Sequence, residues 1–91
     1  MAIRSFTWKP LQRLFEVGFH KKIPAGNAKR LIELLDHLDA AKTRQDLVIA
    51  GFHELKGDRK GTFAWKVTAN WRLTFRFENG DAFDVSYEDY H

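Results

Sequence analysis

The chain has no cysteine, which excludes a disulfide scaffold and a thiolate zinc site and accords with a reducing compartment. It lacks an apolar run long enough to span a bilayer, and its opening residues, Met1-Ala2-Ile3-Arg4-Ser5-Phe6, lack the apolar segment of a secretory signal. Long like-charge runs and low-complexity tracts are missing too, so disorder is not expected. Its four histidines, His20, His37, His53 and His91, include no pair at the i, i+4 spacing of a helical zinc motif. A glycine-bearing stretch, Gly57-Asp58-Arg59-Lys60-Gly61, lacks the spacing of a phosphate-cradling P-loop. These absences predict a cytoplasmic, soluble protein without metal, cofactor or membrane partner.

What is present suits one compact domain over residues 1–91, with 44% hydrophobic and 14% aromatic residues to build a core. The formal net charge of +3 is modest, but its distribution is uneven. Between Leu47 and Phe77 the bases Lys56, Arg59, Lys60, Lys66, Arg72 and Arg76 face only Glu54 and Asp58. Beyond Phe77 the charges are all acidic: Glu78, Asp81, Asp84, Glu88 and Asp89. A basic middle folded beside an acidic end can make a phosphate-binding surface bordered by carboxylates; the alternative is an ordinary mixed-charge exterior.

Periodicity divides the chain into helices first and strands after. Ile3 to Phe6 can form a short strand. Lys9-Pro10 opens a helix with Leu11, Leu14 and Phe15 on one face, and Gly18 is a natural stop. Ala28, Leu31, Ile32, Leu35 and Leu38 recur at helical spacing, predicting an amphipathic helix from Ala25 to Ala41. Lys42 to Asp46 is a polar connection, and Leu47 to Phe52 reads as a helical turn or the lead-in to a strand. The period then changes to two. Phe63, Trp65 and Val67 alternate with polar neighbours, as do Trp71, Leu73, Phe75 and Phe77, and then Phe83, Val85 and Tyr87. Asn79-Gly80 between the last two runs is a strong hairpin signal. The reading is α+β: two N-terminal helices packed on a twisted, mainly antiparallel sheet, with aromatics inward and a polar face holding Lys66, Arg72, Arg76 and Ser86.

Three stretches carry a resemblance. His53-Glu54-Leu55-Lys56-Gly57-Asp58-Arg59-Lys60-Gly61, Asn70-Trp71-Arg72-Leu73-Thr74-Phe75, and Asn79-Gly80-Asp81-Ala82 with Tyr87-Glu88-Asp89-Tyr90-His91 resemble the HigB-type plasmid-maintenance killer toxins, a branch of the RelE/ParE superfamily. The likeness runs over essentially the whole chain. It implies a RelE-like, microbial-ribonuclease-like fold and cleavage of messenger RNA in the ribosomal A site. It implies as partners a HigA-type helix-turn-helix antitoxin and the 70S ribosome, with operator DNA reached only through the antitoxin. The family's catalytic set falls on His53, Lys56, Asp89, Tyr90 and His91. Arg72 is the expected phosphate contact, joined by Arg59, Lys60 and Arg76.

Those residue types suit metal-free RNA cleavage, in which the 2′-hydroxyl attacks the adjacent phosphate. Histidine titrates near neutrality, and a positioned acid or base contributes roughly 10²–10⁴-fold. Lys56 and Arg72 can stabilise charge gathering on phosphorus. Of His53 and His91, one would serve as base and the other as acid; His91 is the favoured proton carrier, with Asp89 orienting it and Tyr90 positioning base or sugar. His53 and Lys56 would point to opposite faces of an unbroken strand, so Lys56 belongs in a turn with Gly57 or one of the two is structural. Two other classes remain: a non-enzymatic inhibitor of DNA gyrase or another protein, as on the ParE side of the superfamily, and a plain RNA-binding module.

Overall fold

In the computed structural model, which describes residues 2–89, the helices come first. Helix α1 (Lys9–Val17) carries proline in its first turn, where the missing N–H costs no helical bond, and buries Leu11 and Leu14. It ends at Gly18, whose φ of 82° is a left-handed cap; the Gly18 N–H donates to the Leu14 carbonyl at 2.8 Å. Helix α2 (Ala25–Ala40) buries Leu31, Leu34, Leu35 and Leu38 along one stripe. A 3-10 turn at Arg44–Leu47 follows, closed by a reciprocal capping box between Thr43 and Asp46. The Asp46 carboxylate accepts the backbone N–H groups of Lys42 and Thr43, which holds its pKa below the usual value.

Four antiparallel strands complete the described chain, in spatial order β1 (Phe52–Glu54), β2 (Thr62–Lys66), β3 (Trp71–Glu78) and β4 (Asp81–Asp89). The first strand expected at Ile3–Phe6 is reduced to two isolated bridges, Ile3 to Ala82 and Phe6 to Val85, which run parallel to β4 along its outer edge. Asn79 (φ 52°) and Gly80 (φ 83°) form the β3–β4 hairpin turn, both left-handed as a type I′ turn requires.

One irregularity changes a face. Thr74 pairs with Ser86 but Arg76 pairs with Phe83, so Asp84 and Val85 together oppose Phe75. This is a β-bulge, with Asp84 at φ 54° and its N–H held by the Ser5 hydroxyl at 2.8 Å. Strict alternation puts Phe83 inward with Val85 and Tyr87. The bulge instead sets half-buried Phe83 beside Arg76 on the opposite face, while Val85 and Tyr87 remain buried.

The core lies between the helices and the inner face of the sheet. Trp65 and Phe75 are fully buried and meet edge-to-face at 4.8 Å. The Trp65 Nε1–H donates to the Leu47 carbonyl at 2.8 Å, so the indole is buried without an orphan donor and pins the 3-10 turn to the sheet. Trp71 stacks on Tyr87 at 4.7 Å, and the Tyr87 hydroxyl accepts from Asn27 of α2 at 2.9 Å. The tryptophans thus serve the core, as the strand pattern required. Among the described residues no helix is long and apolar enough to cross a membrane.

Candidate active site

Strand pairing builds the open face in rungs, because directly opposed residues project to the same side. One rung is Lys66, Arg72 and Glu88; the next is His53, Ala64, Thr74 and Ser86; the third begins with Thr62 and Arg76. Every site residue expected on this face from period-two alternation lies on it. All the large core aromatics lie on the other.

Glu88 is the hub. Arg59 meets it as a fork, Nη1 donating to Oε1 at 2.7 Å and Nη2 to Oε2 at 2.6 Å. The Thr74 hydroxyl donates to Oε2 at 2.9 Å, and Arg72 Nη2 reaches Oε1 at 3.5 Å. Chiefly through the Arg59 hydrogen bonds, the Glu88 carboxyl is pulled down to about 2, against desolvation that pushes it up. The same pairing raises the Arg59 guanidinium pKa. Thr74 is buried, so its hydroxyl needs this acceptor. A shallow cleft of about 230 Å³ opens beside the hub, lined among others by Thr62, Arg76, Asp84 and Ser86.

The remaining candidates surround this centre. His53 is exposed on β1 and shares a cleft of about 190 Å³ with Lys66. Because β1 ends at Glu54, Lys56 is off the strand; it precedes Gly57 (φ 69°), which opens the 3-10 turn Gly57–Arg59. The parity difficulty between His53 and Lys56 disappears for that reason. Lys56 and Lys60 line a second cleft of about 240 Å³ on the same connection. Arg76 is ion-paired with Glu78 at 3.0 Å, both side chains being more than half exposed. Among the described residues Lys56, Lys60 and Lys66 form no ion pair, so their charge faces outward uncompensated.

Asp89 is exposed and opposes Trp71, one residue past Glu88, which puts it on the helix-packed side of the strand. It stands three strands from His53, roughly 14 Å across the sheet at ordinary strand spacing, and three residues along β4 from the Ser86 that shares His53's rung. The structure therefore gathers Arg59, Arg72 and Arg76 on one face with His53 nearby, and sets Asp89 at the far margin. Tyr90 and His91 lie outside the described residues. Two histidines have local duties: His37 Nε2 meets the Asp46 carbonyl at 2.8 Å, and His20 Nδ1 accepts the Lys22 N–H at 3.1 Å. No group of three or more His, Cys, Asp or Glu that could hold a metal occurs among the described residues.

Sequence reasoning missed Glu88 and Thr74 as parts of this site. Their parity with Arg72 and Ser86 was readable, but Glu88 looked like one more acid in an acidic tail.

Comparison with known proteins gives a consistent answer. A family model described as the RelE-like toxin of the type II toxin-antitoxin system, HigB, matches residues 4–91. The chain is 45% identical to the "Endoribonuclease HigB" of Proteus vulgaris over 91 residues, covering 98% of this chain and 99% of that one. It is 35% identical to "Toxin HigB-1" of Vibrio cholerae serotype O1 over 75 residues, 79% of this chain and 78% of that one. Among solved structures, the YoeB-YefM complex from Staphylococcus aureus superposes with a TM-score of 0.64 at 20% identity, covering 98% of this chain and 94% of that one. The YoeB/ParE toxin from Agrobacterium tumefaciens gives 0.63 at 16% identity, with 97% and 99% covered. Those two likenesses speak to the fold, two helices against a four-stranded antiparallel sheet. The two HigB relatives and the family match speak to kinship: this chain belongs to the HigB-like family of RelE-like toxins of type II toxin-antitoxin systems.

Proposed function

We propose that the protein is a metal-independent endoribonuclease that cuts messenger RNA in the ribosomal A site. The observation that carries the reading is the open sheet face. Lys66 lies on it with His53, Arg72 and Arg76, Lys56 and Lys60 stand on the adjoining β1–β2 connection, and the core aromatics point away. None of these three lysines has an ion-pair partner among the described residues. Uncompensated cations beside a polar cleft suit a phosphate backbone. The name of the Proteus vulgaris relative supports the same chemistry.

In this reading Lys56 and Arg72 contact the scissile phosphate and stabilise the charge that builds on it, with Lys60 and Arg76 holding the flanking backbone. The 2′-hydroxyl loses its proton to one imidazole and attacks phosphorus. The bond to the 5′-oxygen breaks, and the other imidazole protonates it, leaving a 2′,3′-cyclic phosphate. His53 is one of the pair and His91 the other, with Asp89 orienting His91 and Tyr90 positioning the nucleotide. Family membership brings an antitoxin as partner; a HigA-type helix-turn-helix protein, with operator DNA reached through it, is the proposed form. The remaining proposals are a cytoplasmic setting, the 70S ribosome as the place of action and a single toxin domain over residues 1–91.

The test is cleavage of mRNA on translating ribosomes by the full chain, by Lys56→Ala and by a chain lacking only His91. Wild type should cut, and both variants should stay folded and lose cutting by at least about 10²-fold. Full cleavage by the chain without His91 would refute the proton-transfer assignment. Intact mRNA with wild type, alongside inhibition of gyrase supercoiling, would replace the nuclease by a protein inhibitor.

A further inference from the structure

The segment bearing Lys56 has no apolar anchor. Every residue from Lys56 to Gly61 is exposed, and its 3-10 turn buries nothing. Its backbone bonds are local: the Leu55 N–H donates to the Thr62 carbonyl at 2.9 Å, and the Lys60 N–H to the Gly57 carbonyl at 3.1 Å. A connection held only by such bonds opens easily. Among the described residues, one side-chain contact reaches further. The Arg59 fork crosses the open face from the β1–β2 connection to Glu88 on β4, separated by 29 positions in sequence.

The anchor end is well set. Glu88 also accepts from the buried Thr74 hydroxyl, so the carboxylate cannot swing away without orphaning it. Between Lys56 and Arg59 lies only the tight Gly57–Arg59 turn, so fixing one end of three residues fixes the other. A fork whose two arms are both engaged by a carboxylate has part of its charge compensated and its bidentate face occupied, which disfavours a second two-armed grip on an RNA phosphate.

We infer that Arg59 and Glu88 form a strap across the open face that positions Lys56 for RNA cleavage, both acting as positioning residues and neither gripping the substrate. This rests on the nuclease reading of the same face. It reassigns Arg59, which the sequence marks as a phosphate contact, to the holding of a catalytic neighbour.

The test is a double-mutant cycle on the full chain: wild type, Arg59→Ala, Glu88→Gln and the double variant, assayed for mRNA cleavage on ribosomes. Arg59 is exposed, so Arg59→Ala keeps the cycle readable even where Glu88→Gln lowers stability. Each single change should lower kcat at least about tenfold with KM within about twofold, and the double should be no worse than the worse single. The salt dependence of RNA affinity should be unchanged in Arg59→Ala, whereas loss of a phosphate contact would reduce the slope by about 1. A rise in KM for Arg59→Ala alone, multiplying with the Glu88→Gln loss in the double, would overturn the strap in favour of direct phosphate binding. Unchanged kcat in both singles would overturn it as well. Amide hydrogen exchange separates this failure from failure of the nuclease reading. Residues 56–61 should exchange faster in both variants while β3 and β4 do not, whether or not wild type cuts RNA. Wild-type exchange there in both variants would sink the strap; a strap that holds in a protein unable to cut RNA would sink only its stated purpose.

Discussion

Replacing Glu88 by glutamine keeps the shape of the side chain and removes its charge, leaving Arg59 and Arg72 facing a neutral amide. The carboxyl has a pKa of about 2 in the folded chain against an ordinary 4.5. Each unit of difference corresponds to about 1.4 kcal/mol, so the full shift would stabilise the fold by about 3 kcal/mol. The pair is not sealed from water, since the Arg59 side chain is 43% and that of Glu88 27% exposed. Solvent screening therefore reduces the figure to about 1–2 kcal/mol. The pKa is depressed on folding, so the contribution is complete above pH 4.5 and fades as pH falls towards about 2. Urea unfolding of wild type and Glu88→Gln across that range reads this directly. At neutral pH wild type should be the more stable by about 1–2 kcal/mol, a difference of roughly 4–16 °C in Tm for a domain of this size. By about pH 2 the two curves should have largely converged. A gap that stays constant through the whole range would show that the carboxylate's charge is not what binds these elements, and would refute the hub.

Further outcomes follow from packing and turn geometry. Trp65→Phe should cost about 2–4 kcal/mol in equilibrium unfolding, because it opens a cavity in the core and strips the Leu47 carbonyl of its indole donor. Gly80→Ala should cost about 1–3 kcal/mol, since φ is +83° and an added Cβ would sit 3.1 Å from the Lys42 carbonyl oxygen; thermal melting checks it. Lys56→Ala removes an exposed side chain, so its Tm should stay within about 2 °C of wild type while mRNA cleavage falls at least about 10²-fold.

Much of this architecture is local information. Gly18 ends α1, α2 stops at Ala40 instead of Ala41, and Asn79-Gly80 turns the last hairpin, because a cap, an apolar stripe and a type I′ turn each reside in a few adjacent residues. The inward row of Trp65, Leu73 and Phe75 follows from alternation for the same reason. Where distant contacts decide, the pattern fails. Phe83 changes face because a bulge at Asp84 is held by Ser5, almost the whole chain away. Strand β1 spans only Phe52–Glu54, too short to show a period, and is recognised by its pairing with β2. At the site, period two put Arg72, Arg76 and Ser86 on the open face correctly. It could not reveal that Glu88 collects two arginines and a threonine, because Arg59 arrives from an irregular connection whose direction no periodicity encodes. Asp89 shows the converse: the motif names it without a direction, and its pairing with Trp71 puts it on the helix-packed side of β4, three strands from His53.

The most direct test of the central claim is to map mRNA ends after adding the purified protein to ribosomes stalled with a defined codon in the A site, with a divalent-metal-independent readout of end chemistry. The account predicts new 3′ ends within that codon carrying a cyclic or 3′-phosphate. Intact mRNA, or ends bearing a 3′-hydroxyl, would contradict it.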